Sequence, residues 1–353
     1  MKSQWQPRIE PISFKYPVDF YARRRHYIDH LAPVWKALQG WTQRGHFYVP
    51  ASLYDYAVSL CDSGIVPTES KNEMNEPPRG HGPLVTAAIG DVNVSSQHSW
   101  RPQLLFEHGV GIVFPNNSSY AGSLGLRRYV AKFFAPNQIV FNKTEQALPG
   151  AYQAIVGTPK LDAWEGTAPI NRTKPETIAI SFHWDGKDVA PEAGNALAHY
   201  KPVLKELGET FHVLGHGHPR ILPELVPLWK EYGFEIVENF DDVMRRASIY
   251  INDCSSTMYE WLVTGRPVVI LNAPWFNRKV HYGIRFWDYT DIGPWVNEPA
   301  ELIPTIRWCF DHDEYLVKRQ STRDILYPHL GHSAKLAAAE IISFVDRIRA
   351  SIR

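Results

Sequence analysis

Cysteine is scarce in this sequence and poorly placed for chemistry that needs it in pairs. Cys61, Cys254 and Cys309 are the only three, and none forms a Cys-x-x-Cys spacing with another. Neither a disulfide framework nor a zinc site is therefore expected. Long apolar runs are missing as well: no segment approaches the ~20 apolar residues of a membrane-crossing helix. Met1 is followed by polar Lys2, Ser3 and Gln4, without the apolar stretch of a secretory leader, so a cytoplasmic protein with no integral membrane segment is expected. Charge of one sign is lacking too. Lys+Arg and Asp+Glu both number 37, whereas a protein that coats nucleic acid is normally basic. This excludes general nucleic-acid coating and leaves room for a local basic patch. The Gly-x-Gly-x-x-Gly fingerprint, the phosphate loop ending in Gly-Lys-Ser/Thr, the Gly-x-Ser-x-Gly elbow, internal repeats and low-complexity tracts are all absent.

What remains is a chain of 353 residues, 44% hydrophobic and 21% charged, long enough for two α/β domains. Residues 21–38 carry Tyr27, Ile28, Leu31, Val34, Trp35 and Leu38 at helical spacing. Short buried strands are expected at 46–49, 84–89, 103–106 and 138–141. The polar stretch 62–83, rich in Pro and Gly, reads as a long surface loop. The texture changes over 157–171, which marks a domain boundary.

The second half alternates. Strands are expected at 177–182, 210–214, 234–237, 248–252 and 267–271. Helices are expected at 191–207, along the stripe Leu222, Leu225, Val226 and Trp229 (with Pro227 delaying or kinking it), at 241–247 and at 256–264. Such alternation implies a parallel sheet covered on both faces. A last helix starts near Ser333, with Ile341, Phe344, Val345, Ile348 and Ile352 on its apolar face.

Parallel sheets bind ligands beyond the carboxyl ends of their strands. After the strand 103–106 come Glu107, His108 and Gly109. His108 is placed for general-base work, or simply satisfies loop backbone. After the strand 210–214 come His216, His218 and Arg220, donors for an anionic ligand. After the strand 248–252 come Asp253, Cys254, Ser255, Ser256 and Thr257 at a helix start. There, free N–H groups and hydroxyls can cradle phosphate, or a serine merely caps the helix. Glu260, one turn on, can reach a ribose hydroxyl. The triplet Asp311-His312-Asp313 reads as a solvated face, and no metal site or resident cofactor is expected. The cluster Arg23-Arg24-Arg25-His26 also reads as a solvated face. If the acceptor is a polyanion, these arginines are its natural contacts.

These segments, in this order, resemble the CDP-glycerol glycerophosphotransferase family and, more broadly, the two-domain GT-B glycosyltransferases. Glu107-His108-Gly109 resembles the family's Trp-His-Gly element, Gly157-Thr158-Pro159-Lys160-Leu161-Asp162 its Gly-x-Pro-Arg-x-Asp element, and His218-Pro219 its Lys-Pro-His-Pro element. Asp253-Cys254-Ser255-Ser256 resembles its Thr-Asp-Tyr-Ser-Ser element, followed by Glu260 and Arg266-Pro267-Val268. Gly283 to Tyr289 with Gly293-Pro294, and Leu326-Tyr327-Pro328 with Gly331-His332-Ser333, resemble its later stretches. The likeness spans roughly residues 100 to 345. Glu107 stands where the family has tryptophan, and Gly217 on the lysine-proline side of its motif.

The resemblance implies an α/β, GT-B-like fold with two Rossmann-like domains facing a cleft: an acceptor domain over 1–165, a nucleotide-donor domain over 170–330, and a C-terminal helix over 331–353 that crosses back. It implies transfer of a sugar or alditol phosphate from a nucleotide-diphospho donor to an acceptor hydroxyl, inverting if a sugar moves. His108 is then the base. His218 and Arg220 neutralise the diphosphate, Ser255, Ser256 and Thr257 hold phosphate, and Glu260 holds ribose. The acceptor stays open between a glycan, a teichoic-type polymer, a small molecule and a modified DNA base. A nucleotide-sugar epimerase or hydrolase, or a non-catalytic nucleotide-sugar-binding protein, also fits these residues.

Overall fold

Runs such as Val18–Tyr21 and Gln103–Phe106 are buried at every position, the mark of strands covered on both faces. The computed structural model describes residues 17–68, 80, 82–92, 101–110, 129–148, 150–166, 177–185, 194–276 and 289–352. Gly111, Gly283 to Asp288, and residues 69–79, 167–171 and 191–193 of the expected elements lie outside this set. The chain divides into two units. One comprises Met1–Gly111, Ser118–Glu165 and Tyr327–Arg353; the other comprises Ile112–Asn117 and Gly166–Leu326.

In the first unit the described strands are β1 (Val18–Tyr21), β2 (Arg44–Pro50), β3 (Ile65–Thr68), β4 (Leu84–Thr86), β5 (Gln103–Phe106), β6 (Val130–Ala135) and β7 (Tyr152–Ile155). They pair in parallel in the order β3-β2-β1-β4-β5-β6-β7. The order reverses between β1 and β4, which makes that pair the switch point. The helices are α1 (Arg25–Ala37), α2 (Tyr54–Leu60) and α3 (Gln138–Ala147).

Three expectations change here. Residues 138–141, expected as a strand, are the first turn of α3; Asn137 caps it, its Oδ1 accepting the Val140 N–H at 3.0 Å. The expected loop 62–83 contains β3, whose residues pair along β2. Tyr21 belongs to β1, and the first helix begins only at Arg25. A run as short as Ile139 to Phe141 has too little length for its period to separate helix from strand.

The second unit is built from β8 (Thr177–Phe182), β9 (His212–Gly217), β10 (Glu235–Ile236), β11 (Ile249–Asn252), β12 (Val268–Leu271) and β13 (Trp295–Val296). They are parallel in the order β10-β9-β8-β11-β12-β13, with the switch between β8 and β11. The helices are α4 (Leu197–Thr210), α5 (Leu222–Glu231), α6 (Phe240–Arg246), α7 (Thr257–Glu260), α8 (Leu302–Asp311) and α9 (Leu316–Leu326). Thr210, expected to open a strand, ends α4. The stripe at Leu222 starts its helix there, with Pro227 inside it.

The last helix, α10 (Ser333–Ile352), joins the first unit's core through Ala337, Ala338, Ile341, Phe344 and Val345. Its start is held by Asp162, which accepts N–H bonds from Gly331 (3.0 Å), Ser333 (3.1 Å) and Ala334 (2.7 Å). Gly157, at φ +84°, lies so close that a Cβ there would sit 2.3 Å from Ser333 Oγ. The two segments Gly157 to Asp162 and Gly331 to Ser333 thus form one joint: the first approaches closely and carries the carboxylate that complements the helix's positive end. Replacing Asp162 by alanine is expected to destabilise the protein by about 2 kcal/mol. Urea unfolding would measure the loss, and amide exchange would place it in the first turn of α10.

Candidate functional site

The carboxyl ends of β1, β4 and β5 gather one cluster in the first unit. His108 stands two residues beyond β5, half-buried. The ring centroids of Tyr27 (5.1 Å), His26 (5.9 Å) and His30 (6.3 Å), all from α1, surround it. Glu107 folds back to accept the Gly109 N–H at 3.2 Å, and its Oε1 lies 3.7 Å from His108 Nδ1. That separation is too long for a hydrogen bond.

Beneath the cluster, Arg23 Nε donates to Asp91 Oδ1 at 2.6 Å. Burial pushes the Asp91 carboxyl up, against the pull of Arg23 and His108. Burial, reinforced by Lys160 and the neighbouring imidazoles of His108 and His26, holds His30 well below the usual histidine range. His30 is therefore a neutral ring at neutral pH. The basic run that reads as a solvated face is only partly one. Arg23 pairs with Asp91, and Arg25 lies 4.1 Å over the Tyr56 ring, whose hydroxyl donates to Asp29. Arg24 and Arg25 are exposed.

In the second unit, residues from the ends of β8, β9 and β11 converge. His218 donates its N–H to the Phe182 carbonyl at 3.1 Å. Its Nδ1 accepts the Arg220 N–H at 3.2 Å. A nitrogen that accepts from an amide carries no proton, so the neutral ring holds its proton on Nε2, a donor for an anion. His183 and Trp184 follow β8. The His183 ring is 5.2 Å from His218, the Trp184 ring 6.1 Å, and the Arg220 guanidinium lies 4.5 Å over Trp184.

His216, grouped with His218 by sequence, is different in kind. It is buried in β9, its Nδ1 is 2.8 Å from the Val237 carbonyl, and its ring is against Phe240.

Asp253 ties three segments together. Its Oδ1 accepts the N–H of His183 (2.9 Å) and of Cys254 (2.7 Å), and its Oδ2 that of Ala196 (3.0 Å). Burial nonetheless raises its carboxyl to about 6. Next to it the Asn252 side chain accepts the Ser255 N–H at 3.1 Å and donates to the Tyr250 hydroxyl at 3.0 Å. Tyr250 meets Thr257 Oγ1 at 2.7 Å, and Thr257 Oγ1 donates to Ser255 Oγ at 3.0 Å. Ser255 and Thr257 are thus linked hydroxyls at the helix start. Ser256 makes no side-chain capping bond and is half-buried, and Glu260 is buried. Asp313 of the late acidic triplet accepts two bonds from the buried Arg319, at 2.6 and 2.7 Å. Among the described residues no cluster of His, Cys, Asp and Glu could hold a metal, and no helix is long and apolar enough to cross a membrane.

Sequence reasoning passed over His183, Trp184, Asp91 and the structural part of Asp253. The available signal was position alone: each directly or closely follows a strand.

No protein-family model matches the chain, and no curated protein matches it in sequence. Solved structures match its fold. The wall teichoic acid polymerase TagF, soaked with CDPG, aligns with a TM-score of 0.64 at 12% identity over 97% of this chain and 91% of that one. MnaA of S. aureus with UDP gives 0.60 at 12% identity over 94% and 97%. The UDP-GlcNAc 2-epimerase of Methanocaldococcus jannaschii with UDP-GlcNAc and UDP gives 0.58 at 12% identity over 93% and 99%. The chain therefore has the α/β GT-B-like fold, with two Rossmann-like domains.

Proposed function

We propose that this chain is a metal-independent GT-B-type transferase that moves a sugar or an alditol phosphate from a nucleoside-diphosphate donor to an acceptor hydroxyl. One observation carries the reading: in both sheets the candidate groups stand at carboxyl ends of strands at or beside the switch point, where parallel sheets take their ligands. The donor sits on the second unit. Ser255, Ser256 and Thr257 hold its phosphates, Glu260 its ribose, and His218 Nε2–H with Arg220 the charge that develops on the leaving diphosphate. His108 of the first unit takes the acceptor proton, and Glu107 stabilises the resulting imidazolium. The acceptor oxygen bonds to the transferred group as the bond to the diphosphate breaks; a sugar moved in this single displacement is inverted.

A melting-temperature panel of UDP, CDP, GDP, ADP and dTDP with their sugar and glycerol conjugates tests the donor half. One nucleotide at 100 times its Kd is expected to stabilise the wild type by about 2.7 kcal/mol, with most of the gain lost in Ser256→Ala. No stabilisation by any of them at millimolar concentration would overturn the donor site.

A second reading is supported by the two fold neighbours that act on or bind UDP-linked ligands: an epimerase working without an acceptor. Conversion of UDP-GlcNAc to an epimer in the absence of any acceptor would favour it. Binding that His108→Ala leaves intact, with no turnover of any donor, would instead favour a non-catalytic binding protein.

A further inference from the structure

We propose that Trp275 is the platform for the transferred group and that this group is a sugar ring stacked on the indole; the inference rests on the donor reading above. Trp275 follows β12, which pairs with β11 in the same parallel sheet. It therefore stands at the carboxyl end that also carries the Ser255–Thr257 segment. The stretch from Gly194 to Ala196 joins the two. On one side it is tied to the residues just before Ser255: the Ala196 N–H donates to Asp253 Oδ2 at 3.0 Å, and Cys254 Sγ donates to the Gly194 carbonyl at 3.1 Å. On the other, the Asn195 carbonyl accepts the indole N–H of Trp275 at 3.0 Å.

The indole is held in place and yet exposed. Trp275 is 44% exposed, and no other tryptophan among the described residues is classed as exposed. The rings of His199 and Phe276 meet it near-perpendicular, at 81° and 85°, with centroids 6.1 and 6.4 Å away. His199 is itself anchored, its Nε2 lying 2.9 Å from the Asn297 carbonyl oxygen. Two half-buried tryptophans of the same unit differ in having a face occupied. The Arg220 guanidinium lies 4.5 Å over Trp184, and His312 stacks on Trp308 at 5.3 Å and 11°. A side chain whose polar tip is bonded and whose rotamer is fixed loses little freedom when a ligand covers its apolar face.

A nucleoside-diphosphate donor carries its nucleoside on one phosphate and the transferred group on the other. With the ribose assigned to Glu260, beyond the phosphate segment, the transferred group falls to the other side. There Asp253 and Cys254 hold the Gly194–Ala196 stretch and, through it, Trp275. A pyranose presents a flat face of C–H groups that suits the negative face of an indole. An alditol is an open chain without such a face, and it loses more freedom when ordered.

Calorimetric titration of wild type, Trp275→Ala and Trp275→Phe tests the assignment. The probes are the nucleoside diphosphate selected by the melting panel, its hexose conjugates and CDP-glycerol. Trp275→Ala is expected to bind the diphosphate within about twofold of wild type and the preferred hexose conjugate about tenfold more weakly. Phenylalanine keeps an aromatic face but has no N–H for Asn195, so it should recover part of the loss. A phenylalanine variant as weak as alanine would assign the effect to the Asn195 bond. Equal weakening of diphosphate and conjugate would show that Trp275 only holds the strand-end segment, and an unchanged conjugate affinity would remove it from the site. A wild type that prefers CDP-glycerol to every hexose conjugate would show that no sugar is carried. Each of these overturns the inference alone, whereas a wild type that binds no nucleoside diphosphate overturns the donor reading with it. Should alanine unfold the protein, Trp275→Leu, which fills more of the space without a ring, takes its place.

Discussion

Replacing His108 by alanine is expected to lower turnover by about 10²- to 10⁴-fold while leaving donor affinity within about twofold. The separation of effects follows from where the residue stands. His108 belongs to the first unit, beyond β5, and the groups assigned to the donor belong to the second. Its surroundings suit a base that must pick up a proton and release it later. The Glu107 carboxylate, 3.7 Å away, makes no hydrogen bond that would lock the imidazole, and the Tyr27 and His26 rings limit the positions it can take. Steady-state kinetics with the donor selected by the melting panel, together with calorimetric donor titration, would measure both quantities. Retained turnover would make His108 a loop histidine. A parallel loss of donor affinity would move its action from the chemical step to binding.

Replacing Asp253 by alanine is expected to destabilise the protein by about 3–5 kcal/mol, because the buried N–H groups of Ala196 and Cys254 and the part-buried one of His183 lose their acceptor, and each buried group carries about 1–3 kcal/mol when unpaired. Urea unfolding would measure it, and for a protein of this size the melting temperature should fall by about 5 °C.

A pH dependence distinguishes this loss from simple cavity formation. Burial raises the folded carboxyl to about 6, from about 4 in the unfolded chain. Between these values the folded state holds a proton that the unfolded state has released. The stability this group contributes is therefore fully present below about pH 4 and declines as pH rises through about 6. The wild-type advantage over Asp253→Ala should accordingly shrink from pH 4 to pH 7. An advantage that grows over that range would mean that the three hydrogen bonds outweigh burial and hold the carboxyl down instead.

The second sheet was largely legible because its strands are short apolar, β-branched runs covered on both faces, each punctuated by Gly, Pro or polar residues. Thr177–Phe182 was readable to the residue, and Ile249–Asn252 and Val268–Leu271 to within one. The first sheet was harder. Val18–Tyr21 runs almost directly into α1, so its apolar residues merge with the helical rhythm. Val130–Ala135 carries Lys132 in its middle, a charge that sequence patterning takes as solvent-facing. The structure buries Lys132 and pairs it with Glu340 of α10 at 2.5 Å, a partner 208 residues away. Residues 138–141, the first turn of the helix Gln138–Ala147, were mistaken for a strand because three apolar residues in a row, Ile139 to Phe141, are too few to show a helical period.

By itself, the sequence determined the alternation of strand and helix, hence parallel sheets and the strand ends where ligands gather. It also put His108, His218 and the Ser255–Thr257 segment forward as candidates at those ends. Only the tertiary structure decided which strand ends are neighbours. Sheet order is set by pairings between segments far apart in the chain, and no local pattern records them. That is why Asp253, which joins β8, α4 and β11, why His183 beside His218, and why Asp162 at the start of α10 became visible only once the chain was folded.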